Sequence, residues 1–250
     1  MEMTGNAILI TGGASGIGNA LAEGLMKKGN HVKICDRNER LLGLVKEKHP
    51  QAEVFTCDLA SAGQRAALFD WASSGGGINM LINNAGIQRT YNYAAGDAEY
   101  FRTGNDEIEI DLAAVIHMCD MFIPCLLRKP EAAVVNVASS LAIVHSAEFP
   151  VYCACKAGVH AFTRCIREQL KGSSVKVFEA LPPAVDSGLN PEGRAVSPPP
   201  DMMAPGEYAA YVIDSIESDK YEIYPALMGK LEKMSLVELY EYFKDPRNPR

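Results

Sequence analysis

The sequence has no apolar run approaching the roughly 20 residues that a bilayer-spanning helix requires, because each apolar stretch is interrupted by charge or polar groups well short of that length. It has no basic tract, and its formal net charge is −7. Nucleic-acid binding rests on clustered Lys and Arg that displace counterions, so this balance argues against a nucleic-acid binder. No CxxC pair is present. The seven cysteines (Cys35, Cys57, Cys119, Cys125, Cys153, Cys155 and Cys165) are an odd number scattered mostly in apolar segments. Cys153 and Cys155 are one residue apart, which matches neither a redox pair nor a zinc site. Reduced thiols serving as small hydrophobes in a cytoplasmic compartment are expected, with no metal site. No charged leader or small-residue cleavage site precedes the first apolar run, so a secretory route is not expected. There is no internal repeat.

What is present is 250 residues, 48 % of them hydrophobic, enough to bury a substantial core in a single domain over residues 1–250. Short β-branched or apolar runs at 7–10, 32–35, 53–56, 80–82, 133–137 and 175–180 read as strands. Helical patterns lie between them at 16–28, 37–48, 62–72, 105–127 and 151–171. That alternation predicts an α/β fold, a doubly wound parallel sheet with helices on both faces. Residues 182–205 hold seven prolines (Pro182, Pro183, Pro191, Pro198, Pro199, Pro200 and Pro205) and cannot continue a helix or central strand. A long loop is expected there, with a substrate lid at 182–207 as the preferred reading and a surface insertion as the alternative. Residues 228–243 have helical periodicity and would pack on the body or on another subunit.

The first strand runs directly into Thr11-Gly12-Gly13-Ala14-Ser15-Gly16-Ile17-Gly18, which opens the first helix. Glycines there permit a tight turn and close backbone approach, and a helix N-terminus favours the negative charge of a pyrophosphate. Asp36 ends the second strand, where a carboxylate can bind the adenosine ribose hydroxyls and repel a 2′-phosphate. NAD is therefore expected, with NADP as the alternative because Arg37 follows at once and could pair with that phosphate.

Together with this TGxxxGxG turn, Asn83-Asn84-Ala85-Gly86 and the YxxxK pair Tyr152-Cys153-Ala154-Cys155-Lys156 occur in an order and at intervals that resemble the short-chain dehydrogenase/reductase family along nearly the whole chain. Spacing alone puts Lys156 on the helix face of Tyr152, and a nearby ammonium stabilises a phenolate, making the tyrosine a usable acid and base. The resemblance implies an NAD(P)-dependent oxidoreductase acting on a carbonyl or secondary alcohol. In it Tyr152 exchanges the proton, Lys156 also binds the nicotinamide ribose, and Ser139 (or, one register off, Ser140) holds the substrate oxygen. It also implies coenzyme contacts from Gly12, Ser15, Gly16, Ile17, Gly18, Asp36, Asp58, Leu59, Asn84, Ala85, Gly86, Pro182, Val185 and Ser187, with Asp58 at the adenine amino group and the 84–86 segment acting mostly through backbone. For Asp58 a carboxylate capping the next turn is the alternative.

Two positions depart from the family pattern. Asp111 stands where an asparagine of the proton relay is usual, and an ionised carboxylate donates no hydrogen bond. Pro183 and Ser187 replace a glycine and a threonine after the sixth strand. The substrate expected is a small organic carbonyl or alcohol with apolar surface, lined by Leu141, Ile143, Phe149 and Leu189, with His145 and Glu148 more at home in solvated loops. The resemblance implies that the helices at 105–127 and 151–171 pair between subunits, giving a homodimer or homotetramer. A nucleotide-binding regulatory protein without turnover is the competing reading, because fold does not fix function.

Overall fold

Every strand expected from the sequence forms, and the reason is local: each apolar run is short, β-rich and bounded by Gly, Asn, Asp or Pro. In the computed structural model, which describes residues 1–96, 106–190, 202–225 and 238, these are β1 (Ala7–Thr11), β2 (His31–Asp36), β3 (Glu53–Thr56), β4 (Met80–Asn83), β5 (Ala132–Val137) and β6 (Val175–Ala180). A short β7 (Glu222–Ile223) adds an edge. The sheet is parallel throughout, in the order β3-β2-β1-β4-β5-β6-β7. Order reverses between β1 and β4, and at such a switch point α/β sheets open a crevice beyond the carboxyl ends of the strands.

Strand alternation supplies two cores. Ile8 and Ile10 of β1 face α1 (Gly16–Lys27) and α2 (Glu39–Lys48), with Leu21, Leu25, Leu42 and Val45 buried there. Leu9 faces the other way, onto Leu68 of α3 (Ala62–Ser73). The next helical segment runs through α4 (Asp106–Ile108), a π turn (Glu109–Ala113) and α5 (Ala114–Leu126), which buries Phe122 in that second core. It is followed by α6 (Pro150–Gln169) and, on the first face, α7 (Pro205–Glu217) with Tyr208 and Val212. All seven cysteines are free thiols, five of them buried, and burial pushes the Cys119 thiol up to about 12.

Three differences from the sequence reading have physical causes. α2 starts at Glu39 rather than 37 because the Asn38 side chain caps it, accepting from Leu41 N–H at 3.1 Å. α7 begins at Pro205, the residue read as the end of a loop, since proline is well suited to the first helical position. The π turn interrupts a helix expected to be regular. Residues 191–201 of the expected lid lie outside the described residues, as does the 228–243 helix apart from Glu238. Among the described residues no helix is long and apolar enough to cross a membrane.

Candidate active site

The carboxyl ends of β1, β4, β5 and β6 bring the expected residues to one edge of the sheet. Ser15 begins α1 without a side-chain cap, and no acid stands in the first turn. The N–H groups of Gly16, Ile17 and Gly18 therefore face the crevice without a side-chain acceptor from Ser15, which fits a pyrophosphate. Gly12 has φ +63°, and a Cβ there would lie 2.8 Å from Ala85 Cα. Gly16 has φ +52°, and its Cβ would lie 2.6 Å from the Ser187 carbonyl oxygen. At Gly18 a Cβ would collide with the Gly12 carbonyl oxygen and with the Asn84 side chain. Gly18→Ala is accordingly expected to cost about 1–3 kcal/mol of stability and to weaken dinucleotide binding, read by thermal melting and calorimetric titration. Unchanged affinity in that variant would mean the turn tolerates an outward shift.

Asn84 secures the turn with its side chain: Nδ2 donates to the carbonyls of Thr11 at 2.9 Å and Gly12 at 3.2 Å. Thr11 Oγ1 in turn accepts from the backbone N–H groups of Asn84 and Ala85. This differs from the backbone role expected of Asn84. Asp36 accepts from Ala14 N–H at 3.2 Å and from Asn38 N–H at 2.9 Å, so its carboxylate is fixed beside the glycine turn. Asp58 accepts from Ala60 N–H at 3.0 Å, the turn-capping geometry, while the buried Leu59 presents its carbonyl to the buried Arg65. Pro182 accepts from Ser140 N–H at 2.9 Å, Val185 is buried, and Ser187 reaches the glycine turn.

Tyr152 and Lys156 lie in the first two turns of α6, both buried. The phenol faces the Ser139 hydroxyl, whose Oγ accepts from Leu141 N–H at 3.1 Å. Ser140, half-buried, instead opens a 3₁₀ turn. Lys156 Nζ sits 5.4 Å from the Tyr152 ring centroid and donates to the Val137 carbonyl at 3.2 Å. The sequence led us to expect a phenol drawn down by the lysine. Burial instead holds it above its ordinary value, reinforced by the charge of Asp111 and opposed by the Ser139 hydroxyl. Tyr152 thus keeps its proton and is set to donate it.

Asp111 falls in the π turn with no exposed surface. Its Oδ1 accepts from Ile87 N–H at 2.9 Å and its Oδ2 has no partner among the described residues. Burial pushes its carboxyl up to about 7, with Lys156 pulling the other way. Leu141, Ile143, Phe149 and Leu189 are half-buried, and His145 and Glu148 are exposed. Sequence reasoning missed Glu107, Arg89, Asn83, Asn136 and Thr163. Asn83 Nδ2 donates to Asn136 Oδ1 and Asn136 Nδ2 to Thr163 Oγ1, both at 2.9 Å, which ties β4 and β5 to α6 beneath Tyr152. An asparagine inside an otherwise apolar buried strand was the available signal, since such a group must find partners.

A family model described as short chain dehydrogenase matches residues 6–196. The uncharacterized oxidoreductase DltE of Bacillus subtilis is 43 % identical over 225 residues, 89 % of each chain. D-threitol dehydrogenase of Mycolicibacterium smegmatis is 30 % identical over 189 residues, 74 % of this chain and 72 % of that one. Among solved structures, a short chain dehydrogenase from Burkholderia cenocepacia in complex with NADP superposes with a TM-score of 0.79 at 27 % identity, covering 93 % of both chains.

Proposed function

Since the chain belongs to the short-chain dehydrogenase/reductase family, and so is an NAD(P)-dependent oxidoreductase acting on CH–OH groups, we propose that it moves a hydride between NAD(H) and a ketone or secondary alcohol of an apolar organic compound. The observation that carries this reading is the buried Tyr152 with Ser139 and Lys156 beside it at the carboxyl ends of the strands. The nicotinamide, when bound, supplies or accepts the hydride. Gly12, Ser15, Gly16, Ile17 and Gly18 would hold its pyrophosphate, Asp36 the adenosine ribose, and Tyr152 and Lys156 the nicotinamide ribose.

In reduction the carbonyl oxygen takes a place between Ser139 Oγ and Tyr152 Oη. Ser139 donates to it, and Tyr152 gives up its proton as the C–H bond forms. Lys156 steadies the phenolate that remains. In oxidation Tyr152 takes the proton back from the alcohol. Leu141, Ile143, Phe149 and Leu189 line the apolar side, with residues 182–207 as the lid that excludes water. Exposed Ile108 and Ile116 support assembly as a homodimer or homotetramer, and the free thiols fit a reducing, cytoplasmic setting.

Preference for NAD over NADP rests on Asp36, whose carboxylate is held beside the glycine turn by two backbone N–H groups. Asp36→Asn keeps the shape and removes the charge. We expect the ratio of kcat/KM for NADH over NADPH to fall about tenfold or more, measured with one substrate and both coenzymes. An unchanged ratio would move the discrimination to Arg37. The function itself is tested by following NADH and NADPH absorbance against ketones, aldehydes, diketones and secondary alcohols, with coenzyme binding measured in parallel. Turnover with NADH supports the proposal, whereas binding without turnover across the panel favours a nucleotide-sensing protein.

A further inference from the structure

Two carboxyl groups without exposed surface, Glu107 and Asp111, stand about one turn apart on the helical segment that carries the π turn. They clamp the chain leaving β4. Asp111 Oδ1 accepts from Ile87 N–H, Glu107 Oε1 from Arg89 N–H at 3.2 Å, and Glu107 Oε2 from the Tyr91 hydroxyl at 2.9 Å. Residues 87, 89 and 91 alternate along the chain, so one side of this loop rests on the two acids. Both Glu107 oxygens are engaged in this way, whereas Asp111 Oδ2, also buried, accepts nothing among the described residues.

The groups that face Asp111 are Lys156, Tyr152 and Cys155 from α6, Arg89 from the loop, and Glu107 from its own helical segment. Arg89 is partly exposed and already pairs with Asp106 at 3.3 Å. Lys156 is the buried ammonium of the group. Its Nζ and Asp111 Oδ1 border the same space, 3.4 and 3.0 Å from where a Gly86 Cβ would sit. Two buried carboxyls sharing one buried ammonium do not both ionise readily, so one proton is retained. It belongs on the oxygen that lacks a donor.

We propose that Glu107 is a positioning residue for the proton chemistry: engaged by the loop through both oxygens, it leaves the shared proton on Asp111, so that Lys156 stays uncompensated beside Tyr152. The inference rests on the reading of Tyr152 as the acid and base. A neutral Asp111 keeps negative charge away from the phenol, and a phenolate forms in both directions of the reaction. Activity therefore declines as pH rises and Asp111 ionises. The burial that holds the Asp111 carboxyl near 7 agrees with this placement.

The test is Glu107→Gln, which retains an oxygen for Arg89 N–H and removes one negative neighbour. The Asp111 carboxyl is titrated by carbon NMR, identified by its loss in Asp111→Asn, and kcat is followed across pH in the same samples. We expect the midpoint and the alkaline limb of kcat to move together to lower pH by about one unit. Tyr91→Phe, which takes a donor from Glu107 and draws the proton toward it, should move both in the same direction. A midpoint unmoved in both variants, or one that moves while the limb stays, overturns the proposal. The NMR arm needs no turnover, so failure of the functional reading would show separately as absent activity with the titration still shifted.

Discussion

Tyr152→Phe is expected to lower kcat about a thousandfold, roughly 4 kcal/mol in activation free energy, while coenzyme affinity, which keeps the Lys156 contact, falls far less. The substitution removes the proton that is transferred to the substrate oxygen. The ring itself is buried, so the phenylalanine keeps its packing, and Lys156 keeps its bond to the Val137 carbonyl. Ser139 keeps its place, since its Oγ accepts from Leu141 N–H. Steady-state rates at saturating coenzyme, with binding followed by coenzyme fluorescence, separate the chemical step from the binding step. A kcat within tenfold of native would assign the proton to Ser139 or to water.

Asp111→Asn should change how stability depends on pH. The native carboxyl titrates near 7, whereas an aspartate in an unfolded chain titrates near 3.9. Between these values the folded protein holds a proton that the unfolded chain has released, so native stability falls as pH rises from about 4 to about 7 and is level above that. Asparagine binds no proton in either state and loses this slope. Its Oδ1 can still accept from Ile87 N–H, and its amide supplies a donor where Asp111 Oδ2 lacks a partner. The variant should gain up to about 4 kcal/mol on the native protein between pH 4 and pH 8, a relative rise in Tm of roughly 10 °C. Calorimetric melting at pH 5, 6, 7 and 8 reads it, and parallel curves for the two proteins would contradict a carboxyl that titrates near neutrality. Turnover above pH 7 should also rise, because the negative charge that opposes Tyr152 phenolate is gone. A large loss of turnover in a folded variant would count against the relay assignment of Asp111.

Strands were legible almost to the residue. β3 and β6 coincide with their expected limits because a β-rich run ends abruptly at polar or proline-bearing sequence on either side. The helix at Pro205 was not legible for the reason that makes it start there: proline opens a helix as readily as it closes a loop, and six prolines preceding it argued for the loop. β7 has two residues, too few for any period. At the site, Tyr152 and Lys156 were marked by spacing, and Ser139, or Ser140 one register off, by the family resemblance. Asp111 was marked as a departure from the family pattern, but Glu107 was not marked at all. Glu107 sits in a stretch reading Asp-Glu-Ile-Glu-Ile-Asp, where charge on a helix normally means solvent, and only the loop from β4 closing over it makes it buried. Nor could sequence reveal that burial would hold the phenol's proton, since that depends on what covers Tyr152 from outside its own helix.

The π turn at Glu109–Ala113 has a consequence for bookkeeping across relatives. Such a turn holds about one residue more than the helix around it needs, and each helical residue advances the chain by about 100°. Everything before the turn is therefore rotated by about that angle relative to everything after it. A gapless alignment with a relative whose helix is regular here would match Phe122 to its counterpart in the core, yet set Glu107 against a residue on a different side of the helix. Counting backward from the core would then assign the clamp to the wrong position by one.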